Sequence, residues 1–273
     1  MKNLIIRTIT GTLFVGAIIT SAIFSPLIFS VLFLLMVLPA LWEFQRLSVK
    51  GISFLRALPG LIAGFAVYSL FALYALSYTQ GLTLWIVIPV ITLLASVHVL
   101  VSRQHSLDLI LGDIGGIIFV VTPLALLNFY LNPTVIPGFH TPWLLLGMFA
   151  ILWTHDTFAY LTGSLFGKHP LYKSISPKKS WEGSIGGFGF AIVAAYILSI
   201  FSPVLGLWHW VAIAIIVTVF GTLGDLAESR LKRRAGVKDS GHLLPGHGGL
   251  LDRFDSVLLV SPIVYLLILL VIS

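Results

Sequence analysis

The chain has 273 residues, of which 58% are apolar and only 10% charged, with a mean hydropathy of +1.05. These values exclude a water-soluble domain, which at this length would need a far more polar exterior, and describe a chain whose solvent is mostly lipid. The net charge of +6 is met by membrane topology and attraction to anionic headgroups, and no basic helix interleaved with aromatics points to nucleic acid. With no cysteine, disulfides, thiolate metal sites and a cysteine nucleophile are excluded.

About 20 apolar residues cross a hydrocarbon core of about 30 Å. The sequence predicts nine such segments, roughly 9 to 24, 26 to 44, 57 to 76, 82 to 101, 109 to 131, 142 to 163, 184 to 201, 207 to 228 and 255 to 272. Short cytoplasmic loops retain Lys and Arg, which checks the segments independently. Lys2 and Arg7 precede the first segment, Arg46, Lys50 and Arg56 follow the second, and Arg103 follows the fourth. Lys168, Lys173, Lys178 and Lys179 follow the sixth, and Arg230, Lys232, Arg233, Arg234, Lys238 and Arg253 follow the eighth. All sixteen cations therefore fall on one side, and the loops near 25, 77 to 81, 132 to 141 and 202 to 207 carry none. The expected fold is an all-α polytopic membrane protein of a bacterial-type inner membrane, with the amino terminus cytoplasmic and the carboxyl terminus outside. The first segment resembles a signal peptide but is expected to be retained. Asn132-Pro133-Thr134 is disqualified as a glycosylation acceptor by its central proline.

No repeat or linker divides residues 1–273, so one integral domain is expected. Up to about residue 149 the chain offers few groups capable of chemistry and reads as scaffold or homodimer surface; the half from about 150 to 273 reads as catalytic. Asp156, beside His155 in the sixth segment, would cost about 2.5 to 3.5 kcal/mol at membrane depth. It therefore needs a partner or a polar cavity. The loop that follows has Gly167-Lys168-His169, which fails as a phosphate loop because Gly163 is one residue too close and His169 replaces the Ser or Thr. What remains is a turn rich in hydroxyls and lysines at a helix start. Its Ser176, Lys178, Lys179, Ser180 and Glu182 suit phosphate oxygens.

The strongest signal lies between Gly221 and Asp255. Asp225 and Glu228 share one helical face at the end of the eighth segment, and Asp252 and Asp255 repeat the three-residue spacing at the mouth of the ninth. Hard oxygen ligands favour Mg²⁺ or Mn²⁺, which takes one or two carboxylates plus waters and phosphates. The interspersed Arg230, Lys232, Arg233, Lys238 and Arg253 would neutralise further phosphate oxygens. The glycines around Pro245-Gly246-His247-Gly248-Gly249 permit close backbone approach to a nucleotide.

The run Ser229-Arg230-Leu231-Lys232-Arg233, then Lys238-Asp239, Leu244 to Gly249, and Asp252-Arg253-Phe254-Asp255 resembles the carboxyl-terminal signature of phosphatidate cytidylyltransferases, the CDP-diacylglycerol synthases. Asp156-Thr157, Ser176 to Lys179 and Trp181-Glu182-Gly183 extend the likeness, with Ser180 where many members carry Thr. The resemblance implies CTP and phosphatidate of the cytoplasmic leaflet as substrates, CDP-diacylglycerol and pyrophosphate as products, and Mg²⁺, with or without a second cation. It also implies Asp225, Asp252 and Asp255 as metal ligands with Glu228 as a fourth candidate, and Lys232 and Lys238 as catalytic cations. Asp156, Ser176, Lys178, Lys179, Ser180, Glu182, Arg233, Asp239, His247, Gly248, Gly249 and Arg253 are the expected substrate-binding set. A CTP-dependent lipid kinase shares the setting but attacks the γ-phosphorus, and a transporter would spread ionisable groups through both halves.

Overall fold

The computed structural model describes residues 2–101, 106–132, 142–202, 205–246 and 248–272. Among the described residues the named elements are helices except for one two-stranded hairpin. Helices α1 (Lys2–Phe24), α2 (Pro26–Ser48), α3 (Phe54–Ala75), α4 (Val87–Val101), α5 (Ser106–Gly116) and α6 (Thr122–Leu126) form the first half. Helix α7 (Trp143–Phe166), strands β1 (Pro170–Tyr172) and β2 (Ser176–Ser180), and helices α8 (Trp181–Phe201), α9 (Leu207–Ile216), α10 (Thr222–Arg234) and α11 (Val257–Ile272) form the second.

Among the described residues six stretches are long and apolar enough to span a bilayer: Pro26–Ser48, Phe54–Ala75, Leu107–Leu131, Trp143–Phe166, Trp181–Phe201 and Leu207–Arg234. Three shorter apolar helices, Thr8–Phe24, Val87–Ser96 and Val257–Val271, fall on the other three predicted segments. Leu55, Trp208 and Leu270 are each 78% exposed, an arrangement stable in lipid rather than water. This is a multi-pass membrane protein. Arg103 and residues 133–141 lie outside the described residues.

Local sequence explains the joints. Ser25 caps α2 by accepting a hydrogen bond from the Leu27 amide at 3.2 Å, with Pro26 at the first helical position, where its missing N–H is not needed. The fourth segment begins as a tight 3₁₀ turn, Gly81–Ile86, before α4. The helix bearing Asp225 runs six residues beyond its expected end, to Arg234, because the residues after Glu228 are good helix formers whose cations suit a helix carboxyl terminus. A π turn, Val217–Gly221, joins α9 to α10 just ahead of Asp225.

The helical architecture agrees with the all-α expectation, with one local departure in the loop after α7, where β1 pairs antiparallel with β2, in register Pro170 to Ser180 and Tyr172 to Ser176. The lysine-rich turn is thus extended backbone. A two-stranded ribbon is all edge, where Pro177 is tolerated.

Several buried polar groups within the helices pair with one another. Ser30 donates to the Asn128 carbonyl at 2.8 Å, Asn128 donates to the Tyr68 hydroxyl at 3.2 Å, and that hydroxyl donates to the Ser30 carbonyl at 2.8 Å. Gln45 donates to Asp113 at 2.6 Å, joining α2 to α5. Helices α7 and α8 pack along their length, and a Cβ on Gly187 would lie 2.8 Å from both the Ala159 Cβ and the His155 carbonyl oxygen. Backbone cannot yield to such a contact, so Gly187→Val is expected to cost about 1–3 kcal/mol through overpacking. The measurement is heat inactivation of detergent-purified protein, with Gly189→Ala, which meets nothing within 4 Å, as the neutral control.

Candidate active site

Four carboxylates from three chain segments border one cavity of about 930 Å³: Asp156 of α7, Asp225 of α10, Asp252 in the 3₁₀ turn Leu251–Arg253, and Asp255 just after it. Lys178 and Lys179 of β2, Ser176, Ser180 and Arg253 line the same cavity. To the same lining α1 contributes Thr10, Phe14 and Val15, and α7 contributes Trp153. The hairpin and two helix ends thus deliver both signs of charge to one space with an apolar wall.

The carboxylates divide into two layers. In the inner layer Glu228 has no exposure and sits 3.2 Å from the ammonium of Lys232, one helical turn on. The same ammonium donates to Asp252 Oδ1 at 2.6 Å. Asp252 also accepts from the amides of Gly249 at 2.8 Å and Ser240 at 3.0 Å. Burial opposes ionisation of Asp252, but the Lys232 ammonium and the Gly249 amide outweigh it and hold its carboxyl below the usual carboxylate range.

The outer layer faces the cavity. Asp225 pairs with Lys179 and accepts from the Ser229 hydroxyl at 3.1 Å. Asp255 accepts from the Ser256 amide at 2.6 Å and lies within electrostatic reach of Asp225, Asp156 and Lys179. Asp156, whose side chain is 54% exposed, lies 3.1 Å from Nδ1 of buried His155. Among the described residues no three acidic or histidine side chains converge to hold a metal ion unaided, so Asp225, Asp252 and Asp255 share a cavity without forming a closed cage. The donors that remain are hard oxygens beside lysines, and such a set fits Mg²⁺, which completes its shell with water and phosphate.

Comparison with known proteins decides the family. The sequence profile described as Cytidylyltransferase family matches residues 5–271. The chain belongs to this family. Proteins named phosphatidate cytidylyltransferase from Staphylococcus saprophyticus and Staphylococcus haemolyticus are 35% identical over 269 residues and 34% identical over 268, in each case covering 96% of this chain and 98% of the relative. That of Staphylococcus epidermidis is 46% identical over 121 residues, 44% of this chain and 46% of its own.

Set against that family's signature, the cavity gathers some expected residues and leaves others outside. Ser180 caps α8 by accepting from the Gly183 amide at 3.1 Å while also lining the cavity. Glu182 is not in the lining; it accepts from the amides of Lys168 and His169, each at 3.2 Å, and fastens the hairpin to α8. Arg233 donates to the Val237 carbonyl at 3.1 Å and closes the end of α10. Lys238 and Asp239 are exposed on the loop beyond it, outside the lining. Gly248 takes φ +80° and Gly249 lends its amide to Asp252, so these glycines shape the loop. His247 lies outside the described residues. Sequence reasoning missed the α1 wall and Glu43 of α2, a buried carboxylate whose isolation among apolar residues was the available signal.

Removing Lys232 leaves two buried carboxylates without their shared cation. Lys232→Met is therefore expected to cost about 3–5 kcal/mol of stability, read as a large drop in the midpoint of thermal aggregation in detergent. Lys238→Met should leave that midpoint unchanged, because Lys238 is exposed.

Proposed function

We propose that the chain is a CTP:phosphatidate cytidylyltransferase of phospholipid biosynthesis, working at the cytoplasmic face of a bacterial-type inner membrane. The observation that carries this reading is the single cavity in which outer-layer carboxylates, hairpin lysines and an apolar wall meet, in a chain of the Cytidylyltransferase family. CTP enters from water and phosphatidate from the adjoining leaflet. Placement of every cation on the same set of loops supports the cytoplasmic orientation.

The lipid phosphate is a monoester and largely dianionic at neutral pH, so it needs no general base. Its oxygen attacks the α-phosphorus of CTP, the bond from that phosphorus to the bridging oxygen of the β-phosphate breaks, and pyrophosphate leaves with the bond pair. Bringing two polyanions together is the main barrier. Lys178, Lys179 and Arg253 supply the positive charge at the cavity wall, acting where charge accumulates in the transition state. Thr10, Ser176 and Ser180 are candidate hydroxyl donors to phosphate oxygens, while Phe14, Val15 and Trp153 receive the glycerol end of the lipid. Asp225 and Asp255 would hold Mg²⁺, which when bound neutralises phosphate charge and stabilises the departing pyrophosphate. Asp252 is assigned to the loop that carries Asp255, since Lys232 and two amides already occupy its oxygens.

Two measurements test the proposal. With purified protein, phosphatidate and Mg²⁺, label on the α-phosphate of CTP should enter lipid and label on the γ-phosphate should appear in pyrophosphate; γ-label in lipid instead would identify a kinase. Asp225→Asn and Asp255→Asn should each lower kcat by about 10²–10³-fold with thermal stability retained. Full activity in either removes that residue from the site.

A further inference from the structure

Glu43 lies on α2, in the half of the chain that carries none of the family signature, and is only 5% exposed. Its carboxylate is turned onto the signature loop. Oε1 accepts from the Leu250 amide at 3.1 Å, and Oε2 accepts from the Leu251 amide and the Ser240 hydroxyl, each at 2.8 Å. Leu250 and Leu251 begin the 3₁₀ turn that carries Asp252, so their amides are orphan donors of a helical start. Ser240 and Gly249, which give their amides to Asp252, flank the same carboxylate. Two carboxylates thus grip this loop from opposite sides, Asp252 from within and Glu43 from α2.

The loop backbone is pressed onto Glu43. A Cβ on Gly241 would meet the Glu43 carboxylate, and its three nearest neighbours would all be atoms of that side chain. A Cβ on Gly249 would meet the Ser240 hydroxyl and Glu43 Oε2. A carboxylate at the end of a free side chain could swing aside, but this one would have to give up three hydrogen bonds in a buried place, where each unmet donor is costly.

We infer that Glu43 is a positioning residue of the active site, fixing the loop from Ser240 to Leu251 so that Asp252 is seated and Asp255 is aimed into the cavity. This rests on the cytidylyltransferase reading for its kinetic consequence but not for its structural one. Glutamine cannot replace Glu43, because its amide NH₂ must face either the Leu250 N–H or the Leu251 N–H, and neither can accept.

The test uses the full chain in detergent without metal for hydrogen exchange, and with CTP, phosphatidate and Mg²⁺ for kinetics. In Glu43→Gln, amides between residues 240 and 251 should exchange faster while those of α7 and α8 stay as in wild type, and kcat should fall about 10–100-fold with KM for phosphatidate unchanged. Gly241→Ala, which keeps the carboxylate but displaces it, should give the same pattern. It should have no further effect in a Glu43→Ala background, a non-additive cycle. Uniformly faster exchange would mean that Glu43 only stabilises the fold and would overturn the inference, as would a change confined to the loop with no change in kcat, or wild-type behaviour in both measurements. If Glu43→Gln fails to fold, Gly241→Ala decides by the same criteria. If the wild type makes no CDP-diacylglycerol, the functional reading falls while the exchange arm still decides whether Glu43 holds the loop.

Discussion

The ammonium of Lys232 sits between Glu228 and Asp252, at 3.2 and 2.6 Å, in a place where none of the three side chains has much access to water. An ionised carboxylate such as Asp252 needs a cation in such surroundings, because desolvation acts against its charge. That requirement explains much around it. Helix α10 must continue past the apolar segment for a full turn beyond Glu228, and the loop after it must double back to bring Asp252 within reach. The amides of Ser240 and Gly249 then complete the hydrogen bonding of Asp252.

With the inner charges neutralised, the outer ones remain available. Asp156, Asp225 and Asp255 share a cavity with Lys178, Lys179 and Arg253, and these are the groups that suit a metal ion and two phosphorylated substrates. The hairpin contributes both Lys178 and Lys179 to the cavity lining, and Lys179 pairs directly with Asp225.

The two halves of the chain meet at the site. The Thr10 hydroxyl of α1 donates to the Pro245 carbonyl of the signature loop at 3.3 Å, and Glu43 of α2 holds the turn that leads to Asp252. At the same face, cations from both halves, Arg46, Lys50, Arg56 and Arg234, border a second cavity of about 700 Å³. Loops that the charge pattern puts on one side are therefore neighbours in space.

The sequence by itself determined the lipid environment, the approximate limits of the apolar helices and the concentration of charge after Asp156, because hydropathy and the placement of Lys and Arg are linear properties of the chain. It also marked Asp225, Asp252 and Asp255 by their spacing and by a long signature. Only the tertiary structure decided which partners each carboxylate meets. Spacing places Asp225 and Glu228 on one helical face, but burial turns Glu228 and Asp252 toward Lys232 and leaves Asp225 facing the cavity. Spacing likewise could not show that Ser176 to Ser180 form a strand, since that depends on pairing with Pro170 to Tyr172. Glu43 lies 197 residues from Ser240. Its role is set by helix packing that brings α2 beside the loop, a contact no local pattern encodes.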